Sequence, residues 1–459
     1  MFREAGPYVA DDNGLWLRTE RGVMQLTNCD VEIVSALRRH KDDGDADEVS
    51  YVVEVRRAGR SWRCEVGPDA LGLSTVLRLS GLPDASVLPG RGQDAATAMH
   101  VLSASAPVTL AFQHFGWEQV DGTWLYLHGA GAIGPTGPVG SVVTETPLVG
   151  YGLPGPLRGA DLSTAAKASL EALGAEPEAM AALLGAAWRA PLPGDVPAVL
   201  HVAGEGAELL VRLALGFYGP AVEPLSALSS LQGLLDASHA AADALVAVGP
   251  LPSEEAVARR HEGAVALMLR SVADHASRYR ALPDGTTASR AARSVALSAG
   301  MVVPGAASAS QRARTLLVRA SVGGAAFDEA RAVASSGLFA GAMASYVEWL
   351  AVQVAERGMS AVRSEVASTE ESLVERLGSA GARARTASAV AALAAGWQWW
   401  LAFCRATGAL APETSQPALE AALGHLRTLA VAQGPWGEGG DFSHDAGGRP
   451  RRPPEGTSR

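Results

Sequence analysis

Residues 199–219 place an apolar strand, a glycine turn and a helical pattern in immediate succession. The turn contains Gly204 and Gly206, and the helical pattern begins at Ala207. The same order of strand, turn and helix builds a P-loop, in which free backbone N–H groups surround nucleotide phosphates. Strand and helix patterns alternate after this unit, with a helix expected over residues 254–278, so the sequence predicts a parallel sheet wrapped by helices.

The residues that perform P-loop chemistry are missing from this stretch. A working loop supplies a lysine to the phosphates and a hydroxyl to Mg²⁺, but here Ala207 and Glu208 follow the second glycine. The next core strand, Asp243–Val248, has no carboxylate at its end to hold a metal. We therefore expect a degenerate nucleotide site with no metal ligands, in which Gly204, Gly206 and Ala207 form a vestigial phosphate loop. The alternative is an ordinary structural turn.

The rest of the chain divides by pattern into a multidomain α/β protein. Short alternating strands and glycine turns, including a hairpin turn at Asp121-Gly122, predict a β-rich N-terminal domain. The P-loop NTPase-like core of AAA+ or RecA type is followed by helical patterns and then by a tail with few apolar residues, for which we expect disorder. The predicted boundaries are 1–150 for the β-rich domain, 151–190 for a helical connector, 191–325 for the core, 326–432 for the α-helical C-terminal domain and 433–459 for the tail.

Charge and cysteine content limit the partners and the cellular compartment that we expect for this chain. The chain has 38 basic and 48 acidic residues, a net charge of −10, which argues against a protein that coats nucleic acid through its overall charge. The three cysteines have no C-x-x-C spacing, and no apolar N-terminal block follows a basic start. We expect a cytoplasmic protein that does not enter a membrane.

Several segments resemble a known family. Residues 112–134, the Leu153–Leu157 run and the Ala187–Leu192 run are similar in order and spacing to the family called domain of unknown function 927. Its members are described as helicase- or primase-like P-loop ATPases, often of mobile elements. The resemblance extends over nearly all of residues 5–432, and it implies a β-rich front, a P-loop core and a helical end.

The same resemblance identifies where this chain departs from the family. Members carry a Gly-Lys-Ser/Thr ending in the loop and a paired aspartate after the later strand, and both are absent here. Ser298 lies on a segment that resembles the strand with the polar sensor. Arg312 and Arg314 lie on a segment that resembles the arginine-bearing one near the subunit boundary, which makes them candidate arginine fingers for a neighbouring subunit. Their alternative role is as solvated surface arginines.

Three other groups have a functional and a structural interpretation. Four arginines at 278, 280, 290 and 293 form a basic cluster that could face single-stranded nucleic acid, although a solvated loop is the simpler interpretation. A tryptophan-rich helix around Trp399 could dock a partner, although such a stripe is more often core. His201 is expected to be a satisfied buried histidine rather than a metal ligand.

These observations lead to one main hypothesis and two alternatives. The main hypothesis is a pseudo-ATPase that binds or scaffolds without a cofactor, as a homo-oligomer or with an active P-loop relative, in a DNA-processing or mobile-element assembly. The first alternative is an ATP-driven helicase- or primase-like motor, in which Arg212 or Arg259 and a displaced carboxylate serve ATP and Mg²⁺. The second is a nucleic-acid-binding module that works without ATP, so nucleic acid stays open as a partner.

Overall fold

The computed structural model describes residues 2–40, 47–82, 84–196, 199–281, 287–320, 325–377 and 384–437. For residues 277–281, 287–290, 325–326 and 435–437 it describes the backbone alone. The chain divides into two compact units, and each is described by itself. Unit 1 comprises Met1–Gln113 and Gly140–Glu145, and unit 2 comprises His114–Val139 and Thr146–Arg459.

Unit 1 consists mainly of strands, as the alternating pattern of the N-terminal region predicts. Its sheets have the orders β1-β2-β3-β4 and β13-β8-β5-β6-β7. The elements of unit 1 are β1 (Arg3–Ala5), β2 (Tyr8–Asp11), β3 (Gly14–Thr19), β4 (Gly22–Gln25), β5 (Asp30–Arg39), β6 (Glu48–Arg57), β7 (Arg60–Val66), a 3₁₀ turn (Pro68–Ala70), α1 (Leu73–Leu79), α2 (Gly92–Leu102), β8 (Val108–Phe112) and β13 (Val142–Thr144).

Apolar side chains from both sheets and both helices of unit 1 form one core, which includes Leu15, Val53 and Met99. Charged side chains on β5 and β6 are paired across the strands, because Arg56 lies opposite Asp30 and binds it at 2.9 Å. Burial raises the pKa of Asp30, and the neighbouring guanidinium groups of Arg3 and Arg56 act against that rise. This unit supplies stable β structure and, in its described residues, no group of metal ligands.

Unit 2 begins with a small antiparallel sheet of order β12-β11-β10-β9. Its strands are β9 (Gly116–Val120), β10 (Thr123–His128), β11 (Gly131–Gly134) and β12 (Gly137–Val139). The hairpin predicted at Asp121-Gly122 is confirmed: both residues have positive φ, 48° and 82°, as a tight two-residue turn between strands requires. This hairpin lies in unit 2, although the sequence pattern places it before residue 150.

A parallel sheet and its helices follow in unit 2, as the alternation of patterns predicts. These elements are α3 (Gly159–Ala175), α4 (Pro177–Arg189), β14 (Val199–Ala203), α5 (Ala207–Leu215), α6 (Leu231–Ala240), β15 (Leu245–Val248), α7 (Glu255–Ala273), β16 (Ser277–Ala281), β17 (Thr287–Ala291), β18 (Val295–Ala299), α8 (Ala309–Arg312) and β19 (Thr315–Arg319). The sheet has the order β15-β18-β14-β19, and every pair is parallel. These strands are apolar in nearly every position, since both faces of a parallel sheet are covered.

Both edges of the parallel sheet are covered. Beside β15, Leu225 donates its N–H to the Ala247 carbonyl at 2.7 Å and accepts from the Gly249 N–H at 2.8 Å. Beside β19, the Gln433 side-chain amide accepts from the Leu317 N–H at 2.9 Å and donates to the Leu317 carbonyl at 3.0 Å. A glutamine on a helix therefore satisfies backbone groups that an edge strand would otherwise expose.

The remainder of unit 2 is helical, which confirms the helical C-terminal region. Its helices are α9 (Ala325–Ser335), α10 (Leu338–Arg357), α11 (Met359–Leu377), α12 (Ala384–Ala406) and α13 (Pro412–Gly437). Helices α4 and α12 cross at Gly185 and Gly396, where an added Cβ would overlap backbone of the other helix. Trp188 stacks on Trp400 with ring centroids 4.7 Å apart, so the tryptophan stripe is core rather than an exposed docking face.

Three expectations of the sequence analysis need correction. The helix expected over residues 254–278 ends at Ala273, because His275 adopts a positive φ of 47° and a strand begins at Ser277. The arginines at 278, 280 and 290 lie on the paired strands β16 and β17 rather than in a loop. The tail expected from residue 433 begins later, because α13 continues to Gly437 and uses Gln433 to bind β19; residues 438–459 lie outside the described part of the chain.

Candidate functional site

The connectivity of the parallel sheet makes the carboxyl end of β14 the candidate position for a ligand. The first strand in sequence, β14, lies in the interior of the sheet, with β18 on one side and β19 on the other. The connection after β14 leads to β15 on one side, and the connection after β18 passes to β19 on the other side. In sheets of this kind, ligands bind outside the carboxyl ends of the strands where the strand order reverses. The turn after β14, Gly204–Ala207, occupies this point.

The turn is closed by its own backbone. The Ala207 N–H donates to the Gly204 carbonyl at 3.3 Å, and the Leu209 N–H donates to the Gly206 carbonyl at 2.9 Å. Gly206 caps α5 with a left-handed φ of 78°. Gly204 has a φ of 125°, and an added Cβ would overlap the Ala320 carbonyl oxygen. Both glycines are thus required by the geometry of a tight turn, in which the Ala207 N–H is bonded to the Gly204 carbonyl.

Negative charge surrounds the turn. Glu205 is exposed at its tip, and Glu208 lies in the first turn of α5, where a carboxylate interacts favourably with the helix dipole. Arg212 pairs with Glu208 at 2.7 Å and also contacts Glu223. Arg259 pairs with Glu255 on α7. The cations considered for displaced catalysis are therefore both paired with glutamates.

His201 on β14 makes a side-chain contact with the neighbouring strand β18. It is fully buried on β14, with Nδ1 2.9 Å from Ser298 Oγ and Nε2 3.1 Å from the Gly300 carbonyl. A carbonyl only accepts, so Nε2 carries the proton and Nδ1 accepts from the Ser298 hydroxyl. Burial lowers the pKa of His201 to about 4, although the Gly300 hydrogen bond acts in the other direction. The prediction of a satisfied buried histidine is confirmed, and the residue resembling a polar sensor is held by it.

The carboxylate that adjoins β15 in sequence lies at the amino end of this strand, away from the Gly204–Ala207 turn at the carboxyl ends. Asp243 precedes the strand with a φ of 53°, and its Oδ2 accepts from the Trp117 N–H at 2.9 Å. Arg293 lies 3.4 Å from the same oxygen. At the carboxyl end, Val248 runs directly into Gly249 and Pro250. Asp243 therefore fastens the small antiparallel sheet to the amino end of β15.

The two candidate arginine fingers are engaged within the chain. Arg314 Nε donates to Asp274 Oδ1 at 2.7 Å, and Arg385 Nη2 donates to the same oxygen at 2.7 Å. Burial alone would raise the pKa of Asp274, but these two guanidinium groups hold it below its ordinary value. Arg312 Nη1 donates to the Ala306 carbonyl at 2.6 Å. A finger role for Arg312 and Arg314 stays a prediction, and the contacts made by Arg314 stabilise the amino end of β19.

The sequence patterns did not identify the buried arginine whose hydrogen bonds stabilise the amino ends of the strands. Arg189, whose side chain is 1% exposed, donates to Glu370 at 2.6 Å and to the Leu192 carbonyl at 3.0 Å. It also donates to the Gly194 and Asp195 carbonyls. A lone arginine directly after an apolar run, residues 180–188, is the signal that could have identified it, because buried arginines require several acceptors.

The described residues contain no cluster of metal ligands and include two long apolar helices. Over the described ranges, no cluster of three or more histidine, cysteine, aspartate or glutamate side chains could hold a metal ion. Two described helices, Leu338–Arg357 and Ala384–Ala406, are long and apolar enough to cross a membrane. Their most apolar windows are 67% and 83% buried within the structure, which is typical of core helices.

Comparison with known proteins identifies the fold. No protein-family model matches the chain, and no curated protein matches it by sequence. A solved structure titled "SCCmec type IV Cch - active helicase" is similar with a TM-score of 0.58 and 12% identity, covering 94% of this chain and 79% of that one. The match to a structure of the NrS-1 C-terminal region covers 80% of this chain and 88% of that one, with a TM-score of 0.33 and 10% identity. The chain thus has a mixed α/β fold similar to that of a solved helicase.

Proposed function

We propose that this protein is a pseudo-ATPase: a P-loop NTPase-like chain that has lost nucleotide hydrolysis and acts as a binding or scaffolding subunit. The turn at Gly204–Ala207 carries the proposal. It lies where the sheet topology directs a ligand, yet the Ala207 N–H closes the turn on the Gly204 carbonyl. A phosphate cradle requires such N–H groups to face the ligand.

The surrounding charges support the same proposal. Glu205 and Glu208 bring carboxylates to a place where a triphosphate would bring its own negative charge, so the two would repel. Arg212 is held by Glu208 and Glu223. No cofactor is required by this proposal, and ATP with Mg²⁺ enters only if catalysis uses displaced residues.

A scaffold needs a partner, and the fold suggests its kind. We propose self-association or assembly with an active P-loop relative in the cytoplasm, as part of a DNA-processing or mobile-element machine. The support is the similarity to a solved helicase fold together with the family resemblance of the sequence. Under this proposal Arg312 remains a candidate contributor to a neighbouring subunit.

Nucleotide binding and turnover provide the test. Calorimetric titration of the full chain with ATP and with a non-hydrolysable analogue, each with and without Mg²⁺, is expected to give no binding heat at millimolar nucleotide. A phosphate-release assay is expected to give no turnover above buffer. Gly206→Ala is the site variant and Arg405→Gln, on an exposed position of α12, is the matched control. Mg²⁺-dependent turnover that Gly206→Ala abolishes and Arg405→Gln preserves would refute the proposal and favour the motor with displaced residues.

A further inference from the structure

Strand β19 is the last strand on one side of the parallel sheet, so only one of its two sides pairs with another strand. The Arg314 carbonyl and the Ala320 N–H both bond to β14. Backbone groups of successive strand residues point to alternate sides of the strand. Thr315, Leu317 and Arg319 therefore direct their N–H and C=O groups away from β14, along what we call the outer side of β19.

The side chain of Gln433 occupies the centre of this outer side. Its Oε1 accepts from the Leu317 N–H at 2.9 Å, and its Nε2 donates to the Leu317 carbonyl at 3.0 Å. In an antiparallel sheet, two opposed residues exchange the same pair of bonds. Gln433 is 6% exposed, and its Nε2 also donates to the Leu429 carbonyl at 3.1 Å. One buried amide thus takes the place of a neighbouring strand residue.

The end of α13 that carries Gln433 is the weakest part of this helix. Gly434 and Pro435 follow at once, and these are the two residue types least favourable inside a helix. Pro435 has no N–H, so it cannot donate the helical bond to the Val431 carbonyl. No atom lies within 4 Å of a Cβ added at Gly434, and Val431 is 70% exposed. The last turn of α13 is therefore held by few contacts besides those of Gln433.

We propose that the outer side of β19 pairs with β19 of a second copy of this chain, and that Gln433 blocks this pairing until the last turn of α13 moves away. An unpaired strand edge accepts a strand from another chain. The segment Thr315–Arg319 is apolar up to its last residue and has no glycine or proline, which is typical of segments that pair in this way. This inference rests on the self-association in the proposed function and assigns a surface to it.

The sequence of β19 suits a symmetric antiparallel pair. A two-fold axis at Leu317 places Thr315 of each copy opposite Arg319 of the other. All three positions direct backbone groups outward, so every opposed pair can exchange two hydrogen bonds. Like charges at opposed positions destabilise a strand pair, and this register brings none together. A second copy is therefore a better match for this edge than an unrelated strand.

Sedimentation velocity of the full chain over a hundred-fold range of concentration provides the test. Gln433→Ala leaves the Leu317 backbone groups without the amide, and pairing with a second copy satisfies them again. We expect the dissociation constant of the dimer to fall at least ten-fold relative to the wild type. Gln416→Ala, at an exposed position of the same helix, is the matched control and should change this constant less than two-fold.

A proline on the outer side tests whether β19 is the surface that pairs. Arg319 is exposed, and its N–H points away from β14, so Arg319→Pro is compatible with an edge strand but cannot donate to a second copy. Added to Gln433→Ala, it should return the dissociation constant to the wild-type value or above. An unchanged, tight dimer in the double variant would overturn the proposal.

A further variant separates this surface from a loss of folding. Gln433→Glu keeps an acceptor for the Leu317 N–H but lacks the donor for its carbonyl, so it should fold, as circular dichroism would show, and tighten the dimer at least three-fold. No tightening by either change at Gln433, or equal tightening by Gln416→Ala, would overturn the proposal. ATP titration of these variants should still give no heat. Nucleotide binding would refute the pseudo-ATPase without changing the dimer measurement, so the two failures are distinguishable.

Discussion

The amino ends and the carboxyl ends of the strands form two opposite edges of the parallel sheet, here called the amino edge and the carboxyl edge. These two edges are built in different ways. At the amino edge, Asp243, Asp274 and Arg189 each join elements that are far apart in sequence through short polar contacts. At the carboxyl edge, the Ala207 N–H of the turn after β14 bonds to the Gly204 carbonyl of the same turn, and Met301 and Val302 are 61% and 51% exposed. These three long-range contacts therefore lie at the edge away from the Gly204–Ala207 turn.

The largest expected effect tests the amino edge. Arg189→Met removes a guanidinium that binds Glu370 and the carbonyls of Leu192, Gly194 and Asp195. Removing one partner of a buried ion pair costs about 3–5 kcal/mol because the other groups are left without their donor. Urea unfolding should show a loss of this size, and Arg405→Met should change the free energy of unfolding by less than about 0.5 kcal/mol. A loss below about 1 kcal/mol would show that the amino edge is not held by this residue.

Acid should weaken the centre of the sheet. Because burial lowers the pKa of His201 to about 4 from 6.5, the unfolded chain binds a proton between these values that the folded chain does not. Its stabilising effect is complete above pH 6.5 and is lost as the pH falls toward 4. Between pH 7 and pH 5 this histidine should account for a loss of about 2 kcal/mol.

The measurement compares urea unfolding at pH 7 and pH 5 for the wild type and for His201→Gln. The variant should lose about 2 kcal/mol less than the wild type over this interval. His128→Gln is a useful companion, because burial also lowers the pKa of His128 to about 4. An identical pH dependence in the wild type and His201→Gln would contradict the neutral, buried state of the histidine.

A third variant tests one junction of the amino edge. Asp274→Asn weakens the contacts with both Arg314 and Arg385, and the carboxylate is 26% exposed. We expect a loss of about 1–2 kcal/mol in the free energy of unfolding, since charge-assisted hydrogen bonds contribute this much when partly buried. Calorimetric melting should record it as a lower midpoint. An unchanged midpoint would show that the contact between Arg314 and Asp274 does not stabilise the fold, and it would favour the role of Arg314 as an arginine finger.

The smallest effect is expected at the carboxyl edge. Glu208→Gln also neutralises a carboxylate paired with an arginine, but its side chain is 41% exposed and the pair lies on one helix surface. Such pairs contribute at most about 0.5 kcal/mol. The same melting experiment should therefore hardly distinguish this variant from the wild type, and ATP titration should still give no heat. A loss as large as that of Asp274→Asn would remove the contrast between the two edges.

Local patterns in the sequence account for most of the elements. The alternation around Asp121-Gly122 predicted the hairpin, and the apolar run before Gly204 predicted β14. These predictions succeed because the turn chemistry and the burial of a strand depend on neighbouring residues. The basic segment after α7 was expected to be a loop, because its strands, with Arg278, Arg280 and Arg290, lack the apolar face by which strands are identified.

The sequence by itself determined that the turn after β14 has no lysine, no hydroxyl and no matching carboxylate, because these are properties of residue types. Only the tertiary structure decided that Arg314 binds Asp274 and that Gln433 covers the edge strand β19. The physical reason is distance along the chain. Hydrogen bonds and ion pairs between residues 40 to 116 positions apart depend on how the elements pack, and no local pattern encodes them.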